Sequence, residues 1–122
     1  MRGRESGVPG GTIVFVDDPF EVHTNPRPVV VCSPENRPFG DEECTIVCLG
    51  TDATEKYELS TPLLPNEYVH GVSFRKKTYV LPWALYTIPR STIDESTPVG
   101  RLADEGMKIV AQSVYRMMRT GL

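Results

Sequence analysis

The residue whose type and setting most readily suggest chemistry is Arg27, an arginine between two prolines at the entrance to an apolar run. The stretch TNPRPVVVC covers residues 24–32, and its apolar part is typical of a strand. A guanidinium is seldom buried without a partner, and its planar fork can bind two phosphate oxygens at once. Arg27 is therefore either a group that meets an anion or a surface residue that pairs with Asp17 or Asp18 and ties a loop to the fold.

Other side chains of the same polar segment could move or orient protons. His23 lies four residues before Arg27, and a histidine that titrates near neutral pH could exchange protons with a substrate. Glu21 is a carboxylate candidate, and Asp17 could either organise a turn or orient Arg27. His70 is a second histidine candidate. A loop histidine is more often simply solvated, and the residues alone leave that alternative open.

A second polar feature is the basic cluster of Arg75, Lys76 and Lys77, which has Phe74 and Tyr79 beside it. Cations interleaved with aromatic rings can hold the backbone and stack the bases of a single-stranded nucleic acid, so these three residues are candidate substrate-binding groups. A charged hairpin turn explains the same pattern equally well.

Composition limits the classes of protein that these residues can serve. The chain has 122 residues, 39% of them hydrophobic, which suits one domain with an ordinary core. Its net charge of −3 excludes a protein that holds nucleic acid by a global positive field. No apolar run approaches the roughly 20 residues that cross a bilayer, and residues 1–11 are polar and glycine-rich. We therefore expect a flexible N-terminal arm over 1–11, no membrane segment and a cytoplasmic location.

The cysteines argue against a metal or disulfide framework. Cys32, Cys44 and Cys48 cannot all pair, and their neighbours are apolar, so reduced core thiols are expected. The sequence contains neither a CxxC motif nor a Cys/His ligand spacing. We predict no metal site and no cofactor.

Eleven prolines and ten glycines separate short apolar runs, a pattern that favours a small β-rich fold. Continuous β-branched runs predict strands buried on both faces, which we expect at the centre of the sheet. Pro82 should force a break, a bulge or an edge position in the last strand. The predicted strands are TIVFV (12–16), PVVVC (28–32), CTIVCL (44–49), KYELS (56–60), VSF (72–74) and TYVLPWALYTI (78–88).

From Ala103 the apolar period changes to that of a helix. Acidic residues stand at its start and arginines at its end, which suits the helix dipole, and Gly121 marks its finish. The predicted apolar face consists of Ala103, Met107, Val110, Ala111, Val114 and Met118. The fold class is thus mainly β (β+α).

The order of these features resembles the MazF/PemK family of toxin endoribonucleases. The Arg-Pro strand followed by Ser-Pro is the most specific part of the match. The matching segments are GTIVFVDDPF (11–20), RPVVVCSP (27–34), TIVCLGT (45–51), YVLPWALYTI (79–88) and GRL (100–102). The resemblance implies an SH3-like small barrel with a C-terminal amphipathic helix, a single domain over 12–122 and a homodimer. It also implies metal-independent cleavage of single-stranded RNA, and a cognate antitoxin as protein partner.

The resemblance further implies that an arginine at the position of Arg27 and a threonine at the end of the next strand carry the reaction. The threonine position falls on Gly50 here, and Thr51 stands one residue later. A one-residue shift turns a strand side chain to the opposite face, so Thr51 can supply the hydroxyl if the strand has ended or bulges there.

The sequence therefore predicts an endoribonuclease with Arg27, Thr51 and His23 as catalytic candidates. The substrate-binding candidates are Asp17, Glu21, Arg75, Lys76 and Lys77. The alternative is a catalytically degenerate barrel that acts as an RNA- or protein-binding module.

Overall fold

The protein, seen here as a computed structural model, is described over residues 10–16, 27–32, 38–51, 62–94 and 98–120. The predicted arm up to residue 9 and the predicted strand at 56–60 lie outside these residues. The elements are β1 (Thr12–Val16), β2 (Arg27–Val31), β3 (Glu43–Gly50), β4 (Val69–His70), β5 (Tyr79–Pro89), α1 (Arg90–Asp94), β6 (Pro98–Leu102) and α2 (Asp104–Thr120), with a 3-10 turn at Asn66–Tyr68.

The strands form one antiparallel sheet in the order β4-β6-β1-β2-β3-β5. The predicted mainly β fold with a C-terminal helix is confirmed. The sheet is not closed, because no ladder joins its edge strands β4 and β5 within the described part of the chain. The barrel implied by the resemblance is therefore open.

The central strands are apolar on both sides, as their continuous hydrophobic runs predict. Alternate residues of β1, β2 and β3 belong to two separate core clusters, one on each face of the sheet. One cluster contains Val29 and Val31 together with Ile93 of α1. The other contains Val30 and packs against α2 through Val110. β2 and β3 are neighbours, as expected, although the middle of the sheet falls between β1 and β2.

β5 carries the irregularity that Pro82 predicts. The strand lies at the edge of the sheet, and its pairing with β3 jumps from Val47 opposite Leu85 to Cys48 opposite Leu81. Three residues of β5 therefore bulge out between consecutive β3 partners. The bulge leaves Trp83 exposed while the main ladder continues on both sides of it.

The prediction of a strand at 72–74 is wrong. Gly71 adopts a positive φ of 89° and ends β4 after two residues, so the chain turns before Val72. The main-chain groups of Phe74 then bond to the side-chain amide of Asn66 instead of a neighbouring strand. The short elements β4, β6 and α1 were not predicted as such. β4 has two residues, α1 is a single short turn of helix, and β6 (PVGRL) contains a proline and a glycine, which weaken a strand signal.

The helix α2 begins one residue after Ala103, and part of its predicted apolar face is confirmed. Val110 is buried, and Met107 and Val114 pack against the same core cluster, whereas Ala111 and Met118 are exposed. The buried face also includes Gly106, where an added Cβ would lie 3.2 Å from Leu102 Cδ2. A glycine at this position lets the helix approach β6 closely.

All three cysteines are free thiols, and Cys44 and Cys48 are fully buried. Burial raises the pKa of the Cys32 thiol to about 12; a backbone hydrogen bond at Val47 lowers that pKa and the nearby Cys44 raises it. None of the described helices is long and apolar enough to span a membrane.

We expect the native protein to resist thiol alkylation at pH 8. The thiolate is the reactive form, and a pKa raised from 9.0 to about 12 lowers the thiolate fraction of Cys32 about a thousandfold at that pH. Iodoacetamide labelling followed by mass spectrometry should therefore modify all three cysteines in guanidinium chloride and none within minutes in buffer.

The same pKa shift has a consequence for stability. Its contribution to the free energy of unfolding is intact below the ordinary thiol pKa. The contribution is lost as the pH rises from about 9 towards 12, because the unfolded chain releases the proton first.

In the labelling experiment, rapid modification of the native protein at pH 8 would contradict the burial of these thiols.

Candidate functional site

The candidate site lies at one end of the sheet, where four strands begin or end side by side. Arg27, the first residue of β2, pairs with Val16, the last residue of β1. Gly50, the last residue of β3, pairs with Tyr79, the first residue of β5. The β2–β3 ladder pairs Val29 with Cys48, and two more residues in the same register place Arg27 opposite Gly50. We call Val16, Arg27, Gly50 and Tyr79 the strand-end row.

The side chains of the strand-end row lie on one face of the sheet, because residues directly opposite each other in an antiparallel sheet project to the same side. Two residues inward from Arg27, Val29 belongs to the same core cluster as Val16 and Cys48. The side chains of Arg27 and Tyr79 thus rise from the end of this apolar face. With strands about 4.8 Å apart, their Cα atoms are separated by about 10 Å across Gly50.

Arg27 is itself a residue of the sheet and not of the preceding loop. The strand starts at Arg27, one residue before the predicted start, and the side chain is half-buried. Its Nη1 donates a hydrogen bond to the carbonyl oxygen of Leu49 at 3.2 Å. An ideal Cβ at Gly50 would lie 3.3 Å from the same Nη1. The guanidinium therefore lies over the end of β3, against a residue that has no side chain.

Thr51 follows the last residue of β3. The strand ends at Gly50, and Thr51 is an exposed residue at a bend. The strand thus ends before Thr51, which is the condition under which Thr51 could supply the hydroxyl. Strand alternation no longer dictates the side to which this hydroxyl projects. The position beside Arg27 in the sheet belongs to Gly50.

Asp17, Glu21 and His23 lie outside the described residues. The two residues that flank their segment, Val16 and Arg27, are paired in the sheet. The described chain on either side of these residues thus ends and resumes at the strand-end row.

The basic residues lie on a two-stranded ribbon that continues into β5, whose first residue, Tyr79, belongs to the strand-end row. The ribbon is formed by residues 62–66 and 74–80, joined by main-chain hydrogen bonds from Leu64 N to Thr78 O at 2.8 Å and from Val80 N to Pro62 O at 3.0 Å. Arg75, Lys76 and Lys77 are exposed on it. We call these three residues the basic loop; it ends two residues before Tyr79.

Asn66 fixes the start of the basic loop. Its side-chain Nδ2 donates to the Phe74 carbonyl and its Oδ1 accepts from the Phe74 N–H, both at 3.1 Å. Thr78 Oγ1 donates to the Lys76 carbonyl at 3.1 Å, which tightens the other end. A cavity of about 210 Å³ lies between residues 63–66 and 74–78. No sequence pattern pointed to Asn66, because it lies eight residues from Phe74 and no regular period connects the two.

His70 is placed far from the strand-end row. It lies exposed on β4, opposite Arg101 of β6, at the other edge of the sheet from β5. Three strand spacings, about 14 Å, separate β4 from β2. The partner of His70, Arg101, pairs with Thr12, so His70 lies level with the start of β1, whereas the strand-end row lies level with its end.

Metal ligands do not cluster in the part of the chain that the structure describes: no group of three or more His, Cys, Asp or Glu side chains there could hold a metal ion. The functional groups of the row are the guanidinium of Arg27 and the ring of Tyr79. The exposed hydroxyl of Thr51 and the cations of the basic loop follow and precede it in the chain. These groups suit the binding of a phosphodiester with stacked bases.

Neither a protein-family model nor a curated protein matches this chain. Solved structures do match it, among them three forms of the MazE-MazF crystal structure from Deinococcus radiodurans. Form-I is 17% identical, with a TM-score of 0.64, and the match covers 96% of this chain and 100% of the matched one. Form-III is 18% identical, with a TM-score of 0.66 and coverages of 92% and 96%.

Form-II agrees with the other two, at 17% identity, a TM-score of 0.63 and coverages of 91% and 94%. At such low identity the likeness concerns the fold, and it extends over nearly the whole of both chains. The chain therefore has a MazF-like fold, which confirms the resemblance predicted from its sequence.

Proposed function

We propose that this protein is a metal-independent endoribonuclease that cleaves single-stranded RNA, and that it is the toxin of a toxin-antitoxin pair. The observation that supports the proposal is the position of Arg27, whose half-buried guanidinium lies at one end of a MazF-like sheet and donates to the Leu49 carbonyl at the end of β3. An arginine so placed can meet a phosphate that approaches the strand ends.

The reaction uses the 2′-hydroxyl of the RNA as nucleophile. The 2′-oxygen attacks phosphorus, the bond from phosphorus to the 5′-oxygen breaks, and the products are a 2′,3′-cyclic phosphate and a 5′-hydroxyl. One group must take the 2′ proton and another must give a proton to the leaving oxygen. Arg27 stabilises the charge that builds on the phosphate oxygens. His23 is the proposed proton-transfer group and Thr51 the proposed hydroxyl donor.

The strand-end row and the basic loop give the RNA a path. In this proposal the scissile phosphate lies on Arg27. The ring of Tyr79, whose Cα lies about 10 Å from that of Arg27 across Gly50, stacks on a neighbouring base. The exposed cations at 75–77 hold the following phosphates. Asp17 orients Arg27, and Glu21 contacts the RNA from the segment that connects Val16 to Arg27.

The proposed partners follow from the same likeness. The matched structures are MazE-MazF structures, so we propose that an antitoxin covers the RNA path of this protein too. We also propose a cytoplasmic homodimer. Its interface would cover exposed hydrophobic residues such as Trp83 on the edge strand and Tyr115 and Met118 on α2.

A second candidate function is a binding module on the same fold without catalysis. Gly50 favours it, because the residue beside Arg27 in the sheet has no hydroxyl to donate. Such a module would bind RNA or a protein through the strand-end row and the basic loop without cutting the RNA.

We expect the purified protein to cut a long unstructured RNA into discrete fragments in the presence of EDTA. Arg27→Ala should lower the rate by about 10²- to 10³-fold, the usual cost of removing a transition-state charge stabiliser. Gel electrophoresis of the RNA measures the rate, and circular dichroism checks that the variant is folded.

Arg101→Ala is the matched control, because Arg101 is an exposed arginine on β6, away from the strand-end row, and its loss should not affect cleavage. A gel shift without cleavage would favour the binding module. Full cleavage by Arg27→Ala would remove Arg27 from the reaction.

The basic loop gives a separate prediction about RNA affinity. Replacing Arg75, Lys76 and Lys77 by Ala should weaken RNA binding and flatten its salt dependence by about 0.7 per lost phosphate contact on a log-log plot, because fewer counterions are released. Fluorescence anisotropy with a labelled single-stranded RNA at several salt concentrations measures both quantities. Lys108→Ala together with Arg116→Ala and Arg119→Ala on α2 is the matched control, with the same loss of charge. An equal effect of the two triple variants would show that net charge, not the basic loop, governs binding.

A further inference from the structure

We infer that Gly50 is a positioning residue for Arg27: the missing side chain at this position is what allows the guanidinium to lie on the end of β3. Two distances carry the inference. A Cβ at position 50 would stand 3.3 Å from Arg27 Nη1 and 3.0 Å from Leu81 Cδ1. Both are shorter than ordinary van der Waals contacts of such a carbon, so the added carbon and the atoms on its two sides would have to move apart by a few tenths of an ångström.

Because Leu81 resists movement, we expect the added carbon to shift away from it and against the guanidinium. Leu81 is only 6% exposed and is packed within the core cluster of its face, so its side chain has little room to shift. Arg27 is half-buried at the end of the sheet and ends a flexible side chain. A methyl group at position 50 would therefore displace Nη1.

Displacement of Nη1 would strain a defined contact. The Nη1 bond to the Leu49 carbonyl is already 3.2 Å long and uses one of the five guanidinium N–H donors. Arg27 and Gly50 are also direct cross-strand neighbours by the register of β2 and β3. Gly50 thus acts through Arg27, by setting where the phosphate-binding fork is held.

The inference has a structural part, which stands on the geometry, and a functional part, which rests on the proposed function. For catalysis it implies that a hydroxyl cannot simply be added at position 50. The space that a threonine side chain would fill is already occupied by Nη1 and Leu81. Gly50→Thr should lower cleavage at least tenfold instead of raising it, and a rise would overturn the inference.

The structural part is tested by a double-mutant cycle of thermal unfolding on wild type, Gly50→Ala, Arg27→Ala and the double variant. We expect Gly50→Ala to lower Tm by roughly 2–6 °C more in the presence of Arg27 than in its absence, because only then is a guanidinium displaced. The effect of a glycine replacement on the unfolded chain is common to both backgrounds and cancels. Effects that add within about 1 °C would overturn the inference.

A spectroscopic readout separates positioning from general destabilisation. The carbonyl 13C resonance of Leu49 reports its hydrogen bond to Arg27, but it also responds directly to the residue type at its covalent neighbour, position 50. The shift caused by Gly50→Ala is therefore measured with Arg27 present and in the Arg27→Ala background, and we expect it to be larger when Arg27 is present. Gly10→Ala is the matched control for a glycine replacement, since among the described residues a Cβ there would meet the Val31 carbonyl oxygen at 3.9 Å and nothing nearer. Equal shifts of the Leu49 resonance in the two backgrounds would contradict the inference.

Two further outcomes are also decisive. If Gly50→Ala does not fold, a folded double variant assigns the loss to the guanidinium and supports the inference, whereas an unfolded double variant assigns it to Leu81 and overturns it. If the wild-type protein does not cleave RNA, the proposed function fails, while the unfolding cycle and the Leu49 resonance still decide the role of Gly50.

Discussion

The register of β2 between β1 and β3 is the constraint on which the site depends. It places Arg27 beside Val16 on one side and, by extension, beside Gly50 on the other. Because side chains alternate along a strand, a slip of one residue would turn Arg27 to the opposite face of the sheet. The slip is prevented by the core itself, since Val29 and Val30 are both fully buried, on different faces. The hydrophobic run thus fixes the position of the charge.

The apolar core also favours a position for this charge at the end of the strand. A guanidinium within the core costs several kcal/mol unless polar partners replace its hydration; the buried Arg90, for example, donates to the Gly40 carbonyl. At the first residue of β2, Arg27 can lay its stem on the apolar face and donate to the Leu49 carbonyl, which the end of β3 supplies. Gly50 leaves room for this arrangement. The half-buried state of Arg27 is therefore a compromise between packing and hydration, and it keeps the fork oriented.

The sequence predicts best what depends on long apolar patterns. The three central strands and α2 were placed within about one residue, because burial on two faces and helical amphipathicity leave strong signals. Elements that depend on tertiary contacts were missed. β4 has two residues, and the chain at 72–74 bonds to the Asn66 side chain, a contact that no local pattern announces. On α2, the pattern found Met107, Val110 and Val114 but missed Gly106, which is buried against Leu102 and which hydropathy ignores.

The same distinction holds for the site. Arg27 is recognisable from its residue type and its prolines, but its contact with the Leu49 carbonyl and with the space above Gly50 depends on how β2 and β3 are paired. The chain carries a net charge of −3, so long-range attraction cannot hold a polyanion over the whole surface. Any such ligand must be held by a few local cations, and each of them then has to be well oriented. For an acidic protein of this size, a glycine that fixes the direction of one guanidinium can matter more than additional positive charge elsewhere.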